Sequence, residues 1–192
     1  MHSVILYFGS FNPVHKGHMA VAEWILEQGL CNEVWFVVSP QNPLKRDGSL
    51  IGEEERLAMV RLAAAASRMR ACDVEFSLPR PSYTVDTLSV LTERYPDTTF
   101  SLLVGSDIPG QITQWKEWRK LLDNYKIYVY PRRGYPAPAA DCGFTVLEGA
   151  PFEDYSSTEV RTALTEGGGD DMVPDVVKEY IKTQGLWNTG KR

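Results

Sequence analysis

The chain has 192 residues, of which 43% are hydrophobic and 23% charged, and its formal net charge is −5 at pH 7. This length suits a single domain with a full core. The negative charge offers no general basic field for nucleic acid, and no apolar run reaches membrane-spanning length, so neither is expected as a partner.

The cysteines and the N-terminus predict a cytoplasmic protein. Cys31, Cys72 and Cys142 are an odd number at wide spacing, which favours small buried side chains over a disulfide framework or a zinc site. The N-terminus lacks the basic segment, apolar stretch and cleavage site of a secretory signal.

Strand-like and helix-like segments alternate along the chain. The hydrophobic spacing predicts strands at 4–8, 33–39, 72–77, 99–104, 126–130 and 144–147, and helices at 17–28, 53–67, 84–94, 112–124, 157–164 and 174–184. Repeated βα units predict an α/β fold, a Rossmann-like doubly wound parallel sheet in a single domain. We expect this domain to span 1–187, with a flexible tail at 188–192.

The segment 9–18, Gly-Ser-Phe-Asn-Pro-Val-His-Lys-Gly-His, follows the first apolar run directly. A glycine turn leading into a helix suits a polyphosphate, because backbone can approach the ligand closely and the helix start presents N–H groups. His15 and His18 can add donors or positive charge where an attacked phosphate gains negative charge. Taken singly, a histidine at a helix start is more often a cap, and the glycine spacing fits neither a dinucleotide fingerprint nor a P-loop.

This segment resembles the (T/S)-x-F-x-P-x-H-x-G-H signature of the nucleotidyltransferase superfamily, whose members transfer AMP or CMP from a nucleoside triphosphate to a phosphate. The resemblance implies that His15 and His18 are catalytic. It also implies that Gly9, Ser10 and Phe11 bind the phosphates of ATP.

The segment 155–161, Tyr-Ser-Ser-Thr-Glu-Val-Arg, is the second motif. Hydroxyls at a helix start either cap the helix or bind phosphate, and an arginine fork one turn later matches phosphate oxygens. The alternative is an N-cap followed by a solvated arginine. The segment resembles the superfamily's closing Ile-Ser-x-Thr-x-x-Arg motif, which implies a catalytic role for Arg161 and phosphate binding by Ser156, Ser157 and Thr158.

The segment 79–88, Pro-Arg-Pro-Ser-Tyr-Thr-Val-Asp-Thr-Leu, indicates which branch of the superfamily the chain resembles. It is similar to the Pro-Ser-Tyr-Thr-x-x-Thr-Leu segment of bacterial nicotinate-nucleotide adenylyltransferases. The resemblance implies that the backbone amide of Thr84 meets the pyridine carboxylate of nicotinate mononucleotide, with Tyr83 nearby. Without the resemblance, the segment reads as a loop with a hydroxyl cap.

A buried strand ends in Gly105 and Asp107, and Trp115 follows at the start of the next helix. The same family has Ile-Gly-x-Asp at this place, followed by a tryptophan. The resemblance implies that Gly105 and Asp107 bind ATP, with Asp107 accepting hydrogen bonds from ribose or lying near metal-bound phosphates. It also implies that Trp115 stacks on the pyridine ring. A turn residue and a half-buried helix residue are the plainer alternatives.

Three further basic residues match family positions. Lys45 ends a loop of the form Pro-x-Lys and is expected to reach phosphate, although a surface lysine is nearly as common there. Arg132 matches an arginine near the ATP base and ribose, with a solvated arginine as the alternative. Arg56 and Met59 match a helix motif that we interpret as packing rather than chemistry.

The resemblance covers nearly the whole chain, from Leu6 to Trp187, with the motifs in family order. The sequence departs from the usual pattern at five positions: Phe8, Asn12, Arg80, Lys116 and Tyr155.

Together these motifs predict adenylyl transfer from ATP to nicotinate mononucleotide by direct in-line attack, with Mg²⁺ carried by ATP and no metal site in the protein. The amide mononucleotide and phosphopantetheine remain alternative acceptors, and a nucleotide sensor on the same fold is an alternative outside the enzymes. A homodimer is possible, because Tyr125, Tyr128 and Tyr130 could form a self-contact.

Overall fold

The computed structural model describes residues 1–40, 50–65, 68–139, 142–152 and 154–187. The strands are β1 (His2–Gly9), β2 (Glu33–Val38), β3 (Met69–Cys72), β4 (Thr98–Gly105), β5 (Ile127–Tyr130) and β6 (Thr145–Val146). The α-helices are α1 (Lys16–Glu27), α2 (Glu53–Ala64), α3 (Thr84–Arg94), α4 (Trp118–Asn124), α5 (Ser157–Thr165) and α6 (Asp175–Gln184). The predicted tail and Lys45 lie outside the described residues.

The strands form one six-stranded sheet in the order β3-β2-β1-β4-β5-β6, and every pair is parallel. This is the doubly wound order that the βα alternation predicts, and the prediction of a Rossmann-like α/β fold is confirmed. The strand order reverses between β1 and β4, which are hydrogen-bonded neighbours. Ligands of such sheets bind beyond the carboxyl ends of the strands at this reversal, so the loops after Gly9 and Gly105 flank the expected crevice.

Side chains alternate between two cores, one on each face of the sheet. Ile5 and Tyr7 of β1 point into a core that α1, α2, α5 and α6 cover. Val4 and Leu6 point into the opposite core, which α3 and α4 cover. The two sequence motifs with histidine and arginine therefore belong to one face, and the segment before α3 belongs to the other.

The predicted strand at 72–77 is wrong. β3 ends at Cys72, and Val74–Ser77 form a 3₁₀ turn. The alternation of Cys72, Val74 and Phe76 imitated a strand, but Val74 and Glu75 are both buried, which a one-sided strand does not allow.

The predicted continuous helix at 112–124 is also wrong. A 3₁₀ helix occupies Pro109–Gln114, and α4 begins only at Trp118. Proline at the first position starts the 3₁₀ helix early. Glu117 has a left-handed backbone, with φ of 51°, which interrupts any regular helix at that point.

The structure shows which of the tyrosines and cysteines named in the sequence are buried. Tyr128 and Tyr130 are buried in β5, so they do not offer a self-contact, and the homodimer stays a prediction. Cys31 and Cys72 are buried thiols as predicted, whereas Cys142 is partly exposed. Among the described residues, no helix has the length and apolar character needed to cross a bilayer.

Candidate active site at the crevice between β1 and β4

The loop after β1 is tightly packed. Phe11 and Asn12 are each 1% exposed, and Phe11 has a left-handed φ of 46°. The Phe11 ring lies against Gly9 so closely that a Cβ on Gly9 would be 2.9 Å from its Cζ atom. Glycine is therefore required where this ring folds back, and the loop has one well-defined shape.

His15 and His18 form a reciprocal cap at the start of α1. The His18 N–H donates to Nδ1 of His15 (3.3 Å) and the His15 N–H donates to Nδ1 of His18 (3.2 Å). The two rings stack with centroids 3.6 Å apart. The arrangement is a capping box in which imidazoles replace the usual hydroxyl and carboxylate.

The cap determines the tautomer of both rings. Because each Nδ1 accepts a hydrogen bond, the proton of each neutral imidazole lies on Nε2. Burial, with a contribution from the positive charge of Arg132, lowers the pKa of His15 to about 3. His15 is therefore neutral at pH 7. Of the two roles that the sequence allowed, a hydrogen-bond donor or a positive charge, His15 can fill only the first. His18 is the more exposed ring.

The start of α5 docks directly on the loop after β1. The Ser157 hydroxyl donates to the carbonyl of Pro13 (3.0 Å) and Arg161 Nη1 donates to the carbonyl of Asn12 (2.9 Å). Arg161 Nη2 lies 3.2 Å from Thr158 Oγ1, so these two side chains share one side of the helix as predicted. Motifs about 140 residues apart in sequence thus meet at one point of the crevice, since the Ser157 bond spans 144 positions.

Ser156 caps α5, and Glu159 completes its capping box. Glu159 also forms an ion pair with Arg133 from the loop after β5. The backbone N–H of Ser156, followed by Arg133 and the Ser156 hydroxyl, lowers the pKa of Glu159 to about 2. Arg133 was not singled out in the sequence, although it lies beside the predicted Arg132.

Tyr155, which replaces the usual isoleucine, supports the histidine pair. Its ring packs edge-on against His15 with centroids 5.2 Å apart, and its hydroxyl donates to the Met172 carbonyl at 3.2 Å. The same carbonyl accepts the backbone N–H of Lys16 at 2.9 Å. The substitution therefore adds a hydrogen bond between the segment before α5 and the segment before α6, at the same carbonyl that binds the start of α1.

Asp107 and Arg132 pair across the ends of β4 and β5. Arg132 Nη1 lies 3.1 Å from Asp107 Oδ2. A Cβ on Gly105 would overlap both side chains, so glycine is what lets the pair lie against the strand end. Beside the pair opens a cleft of about 590 Å³, with Ser106, Asp107 and Tyr135 in its lining.

Glu75 organises the segment before α3 and was missed by the sequence reasoning. It is 2% exposed, and its carboxylate accepts the hydroxyls of Ser82 and Thr87, each at 2.8 Å. These bonds hold Tyr83 and Thr84 between two anchored residues. The only sequence signal was a carboxylate inside the apolar run 74–76.

Helix α3 begins at Thr84, and Tyr83 is its N-cap residue. Since α3 runs antiparallel to the strands, its start lies at the same carboxyl edge of the sheet as the histidines, on the opposite face. Lys116 forms an ion pair with Asp86 (2.8 Å) and lies 5.1 Å from the Tyr83 ring centroid. The neighbouring Trp115 is half-buried and packs on the core of this face.

The structure therefore brings the predicted phosphate-binding residues of the two main motifs into contact and places the Tyr83–Trp115 group across the sheet edge from them. Among the described residues, no three His, Cys, Asp or Glu side chains group closely enough to hold a metal ion.

Comparison with known proteins agrees with this geometry. Residues 6–163 match a family model described as cytidylyltransferase-like. A "Probable nicotinate-nucleotide adenylyltransferase" from Cytophaga hutchinsonii is 42% identical over 168 residues, which cover 84% of this chain and 85% of the relative. A protein of the same name from Bacteroides thetaiotaomicron is 44% identical over 184 residues, covering 92% and 91%.

Solved structures agree on the fold. Plasmodium falciparum nicotinic acid mononucleotide adenylyltransferase, complexed with NaAD, superposes with a TM-score of 0.79 at 20% identity and covers 99% of both chains. A putative nicotinate-nucleotide adenylyltransferase from Vibrio parahaemolyticus superposes with a TM-score of 0.69 at 17% identity, covering 99% of this chain and 98% of that one.

A doubly wound sheet with a histidine-capped helix at the reversal of strand order has the architecture of a nucleotidyltransferase. The family model and the relatives at 42% and 44% identity identify the family more specifically than the architecture does. The chain belongs to the cytidylyltransferase-like family and, within it, to the nicotinate-nucleotide adenylyltransferases, which are enzymes.

Proposed function

We propose that the enzyme transfers the adenylyl group of ATP to nicotinate mononucleotide, giving nicotinate adenine dinucleotide and pyrophosphate. The names of the curated relatives support this reaction. The observation that carries it is the docking of Ser157 and Arg161 on the carbonyls of Pro13 and Asn12. This contact makes one polar site from a glycine turn, a histidine pair and an arginine, which suits a triphosphate.

The chemistry is a direct in-line displacement. A 5′-phosphate oxygen of the mononucleotide attacks the α-phosphorus of ATP, a new P–O bond forms, and the bond to the bridging oxygen of pyrophosphate breaks. No protein nucleophile takes part, so the enzyme acts by positioning two anions and stabilising the charge that develops between them.

On the ATP side, His18 Nε2–H donates to the α-phosphate, where charge increases in the transition state. His15, neutral and buried, fixes the His18 ring through the reciprocal cap and contributes its own donor. Arg161 holds the leaving pyrophosphate together with the Thr158 hydroxyl and the backbone N–H groups at the start of α5, where Ser156 and Ser157 lie. Mg²⁺ carried by the triphosphate would supply charge neutralisation there.

The adenosine end occupies the cleft of about 590 Å³ beside Asp107. Asp107 is an acceptor for ribose hydroxyls, and Arg132 orients it through their ion pair. Gly9, Ser10 and Phe11 supply backbone to the phosphates, and Lys45, beyond the described residues, is proposed as a further phosphate contact.

The acceptor, nicotinate mononucleotide, binds at the same carboxyl edge of the sheet but on the opposite face from the histidines, at the start of α3. The Thr84 N–H is one of the N-terminal amides of that helix and suits a carboxylate. Tyr83 and Trp115 provide aromatic surface for the pyridine ring. This arrangement favours the acid mononucleotide over the amide.

Pyrophosphate release with ATP and Mg²⁺ tests the proposal, with nicotinate mononucleotide, nicotinamide mononucleotide and phosphopantetheine compared as acceptors. Strong preference for the acid is the expected result. Equal or better use of the amide would show that nicotinamide mononucleotide is the acceptor. No turnover with any of the three would overturn the proposed reaction.

The displacement step has its own test. With ATP made chiral at the α-phosphorus by sulfur substitution, a single in-line attack inverts the configuration. Retention would indicate a covalent adenylyl-enzyme and would contradict direct transfer.

A further inference from the structure

Arg56 of α2 is buried beneath the loop after β1 in an unusual way. It is 1% exposed, and among the described residues no carboxylate forms an ion pair with it. Its guanidinium donates to four backbone carbonyls instead. The interpretation of Arg56 as a packing residue is therefore incomplete. Within the described part of the chain the hydrogen bonds of this buried charge all go to carbonyls, with favourable charge from Glu53 and Glu55 nearby, and packing alone does not explain so costly a position.

The four carbonyls come from three separate segments. Nη1 donates to Ser10 and Ser39, both at 2.7 Å. Nη2 donates to Pro40 at 3.1 Å, and Nε donates to Ile51 at 3.2 Å. One side chain thereby joins the loop after β1 to the end of β2 and to the residues that precede α2.

The bond to the Ser10 carbonyl fixes one peptide plane. The cis peptides of the described chain are Asn12-Pro13 and Arg80-Pro81, so the Ser10–Phe11 peptide is trans. In a trans peptide the carbonyl and the N–H point in opposite directions. With the Ser10 carbonyl held by Arg56, the Phe11 N–H is directed to the opposite side.

The conformation that follows is strained and leaves a donor available. Phe11 has φ of 46°, a left-handed conformation that is unfavourable for a residue other than glycine. The Phe11 N–H makes no hydrogen bond to any of the described residues, although the residue is 1% exposed. A buried backbone donor is normally paired, so this one is suited to a ligand acceptor.

We propose that Arg56 is a positioning residue, which holds the Ser10–Phe11 peptide so that the Phe11 N–H meets a phosphate oxygen of ATP. This inference rests on the proposed function, since it takes the loop after β1 as a phosphate site. Lysine cannot replace arginine here, because a point charge has no planar fork to reach carbonyls on three segments at once.

The test compares Arg56→Lys with Met59→Ala. Met59 lies on the same helix and is fully buried, but it makes no hydrogen bond to the loop. Both variants are assayed well below their own unfolding midpoints. We expect Arg56→Lys to weaken MgATP binding by calorimetry and to lower kcat, each about tenfold, the size of one lost charge-assisted contact. The KM for nicotinate mononucleotide should stay within about twofold, and Met59→Ala should keep near-normal kinetics.

A merely structural role predicts a different result. The positioning role is wrong if the two variants lose activity in proportion to the decrease in their unfolding midpoints. It is also wrong if Arg56→Lys weakens MgATP binding and raises the KM for nicotinate mononucleotide equally. MgATP affinity is measured without any acceptor. A wild-type enzyme that binds ATP but does not transfer would therefore overturn the proposed reaction while leaving the Arg56 comparison valid.

A second measurement needs no variant and covers the case in which Arg56→Lys does not fold. In protein labelled with ¹⁵N-phenylalanine, MgATP should shift the Phe11 amide resonance strongly and slow its exchange with solvent. Phe100, which lies near the start of β4 and is paired there with Val4, serves as an internal reference. A Phe11 resonance that does not move on saturation with MgATP would overturn the proposal.

Discussion

His15 and His18 each accept the backbone N–H of the other through Nδ1, at 3.3 Å and 3.2 Å, while their rings stack at 3.6 Å. The same two residues therefore cap α1 and direct two Nε2–H donors away from the cap. A substitution at either position removes a cap and a donor together, and the two losses must be separated experimentally.

His18→Asn separates them, because an asparagine oxygen can still accept the His15 N–H but provides no equivalent of Nε2. We expect kcat to fall about 100-fold in both His18→Asn and His18→Ala, as for loss of one transition-state donor. The KM for ATP should change by less than about threefold. The unfolding midpoint should drop clearly only in His18→Ala. His2→Ala, at the opposite end of β1, is the control, and near-normal kcat in His18→Asn would contradict the catalytic role.

The low pKa of His15 makes stability depend on pH in a defined direction. Its folded pKa is about 3, whereas the unfolded value is 6.5. Between these values the unfolded chain binds a proton that the folded chain does not, so the free energy of unfolding falls as pH falls. The slope is at most about 1.4 kcal/mol for each pH unit.

Urea unfolding at several pH values between 7 and 5 measures this slope. Glu159, whose folded pKa is about 2 against 4.5 unfolded, stabilises the fold above pH 4.5 and loses its effect only below it, so Glu159 does not contribute to a slope between pH 7 and 5. His15→Asn retains a capping acceptor and should flatten the curve. An equally steep curve in His15→Asn would show that another group is responsible.

The positions of the main motifs could be predicted because topology alone determines them. Once the βα alternation is recognised, the residues after each strand must lie at one edge of a parallel sheet. Gly9, Gly105 and the start of α3 therefore lie at one edge, and α3 has the predicted bounds because its apolar spacing and its N-terminal hydroxyls agree.

The contacts that hold the site could not be predicted. Glu75 depends on hydroxyls 7 and 12 residues further along, and Arg56 depends on carbonyls, which every residue carries. Neither the hydroxyls that Glu75 binds nor the carbonyls that Arg56 binds form a recognisable pattern in the sequence. A single histidine cap was among the alternatives at this helix start, but the reciprocal bonds between His15 and His18 could not be foreseen, since paired imidazole acceptors have no established signature.

Glu75→Gln tests the anchored segment on the acceptor side. A glutamine amide offers one acceptor oxygen in place of two, so either Ser82 or Thr87 loses its acceptor on residue 75 and faces an amide N–H₂ group instead. Thr87 also donates to the Tyr83 carbonyl at 3.2 Å, so the loss is greater if Ser82 is the hydroxyl displaced. We expect the KM for nicotinate mononucleotide to rise about tenfold while the KM for ATP stays within about twofold. Glu93→Gln on the exposed side of α3 is the matched control. Equal increases for the two substrates would indicate general loosening instead.

Gly105→Ala tests the pairing of Asp107 with Arg132. The added methyl overlaps both side chains, so the ion pair must move away from the end of β4. We expect MgATP affinity to fall about tenfold, with the acceptor KM little changed. Gly168→Ala is the control, because its Cβ would meet only an ordinary contact at 3.7 Å. Unchanged ATP affinity in Gly105→Ala would exclude the pair from the ATP site.

Arg161→Lys tests the contact between the two main motifs. Arg161 uses Nη1 for the Asn12 carbonyl and Nη2 for Thr158, and the proposed function asks the same guanidinium to hold the leaving pyrophosphate. Lysine keeps the charge but cannot serve these partners at once. We expect kcat/KM for ATP to fall about 100-fold, and inhibition by added pyrophosphate to weaken in parallel. Arg94→Lys at the exposed end of α3 provides the comparison. If pyrophosphate inhibition is unchanged while kcat falls, Arg161 supports the loop after β1 without touching the leaving group.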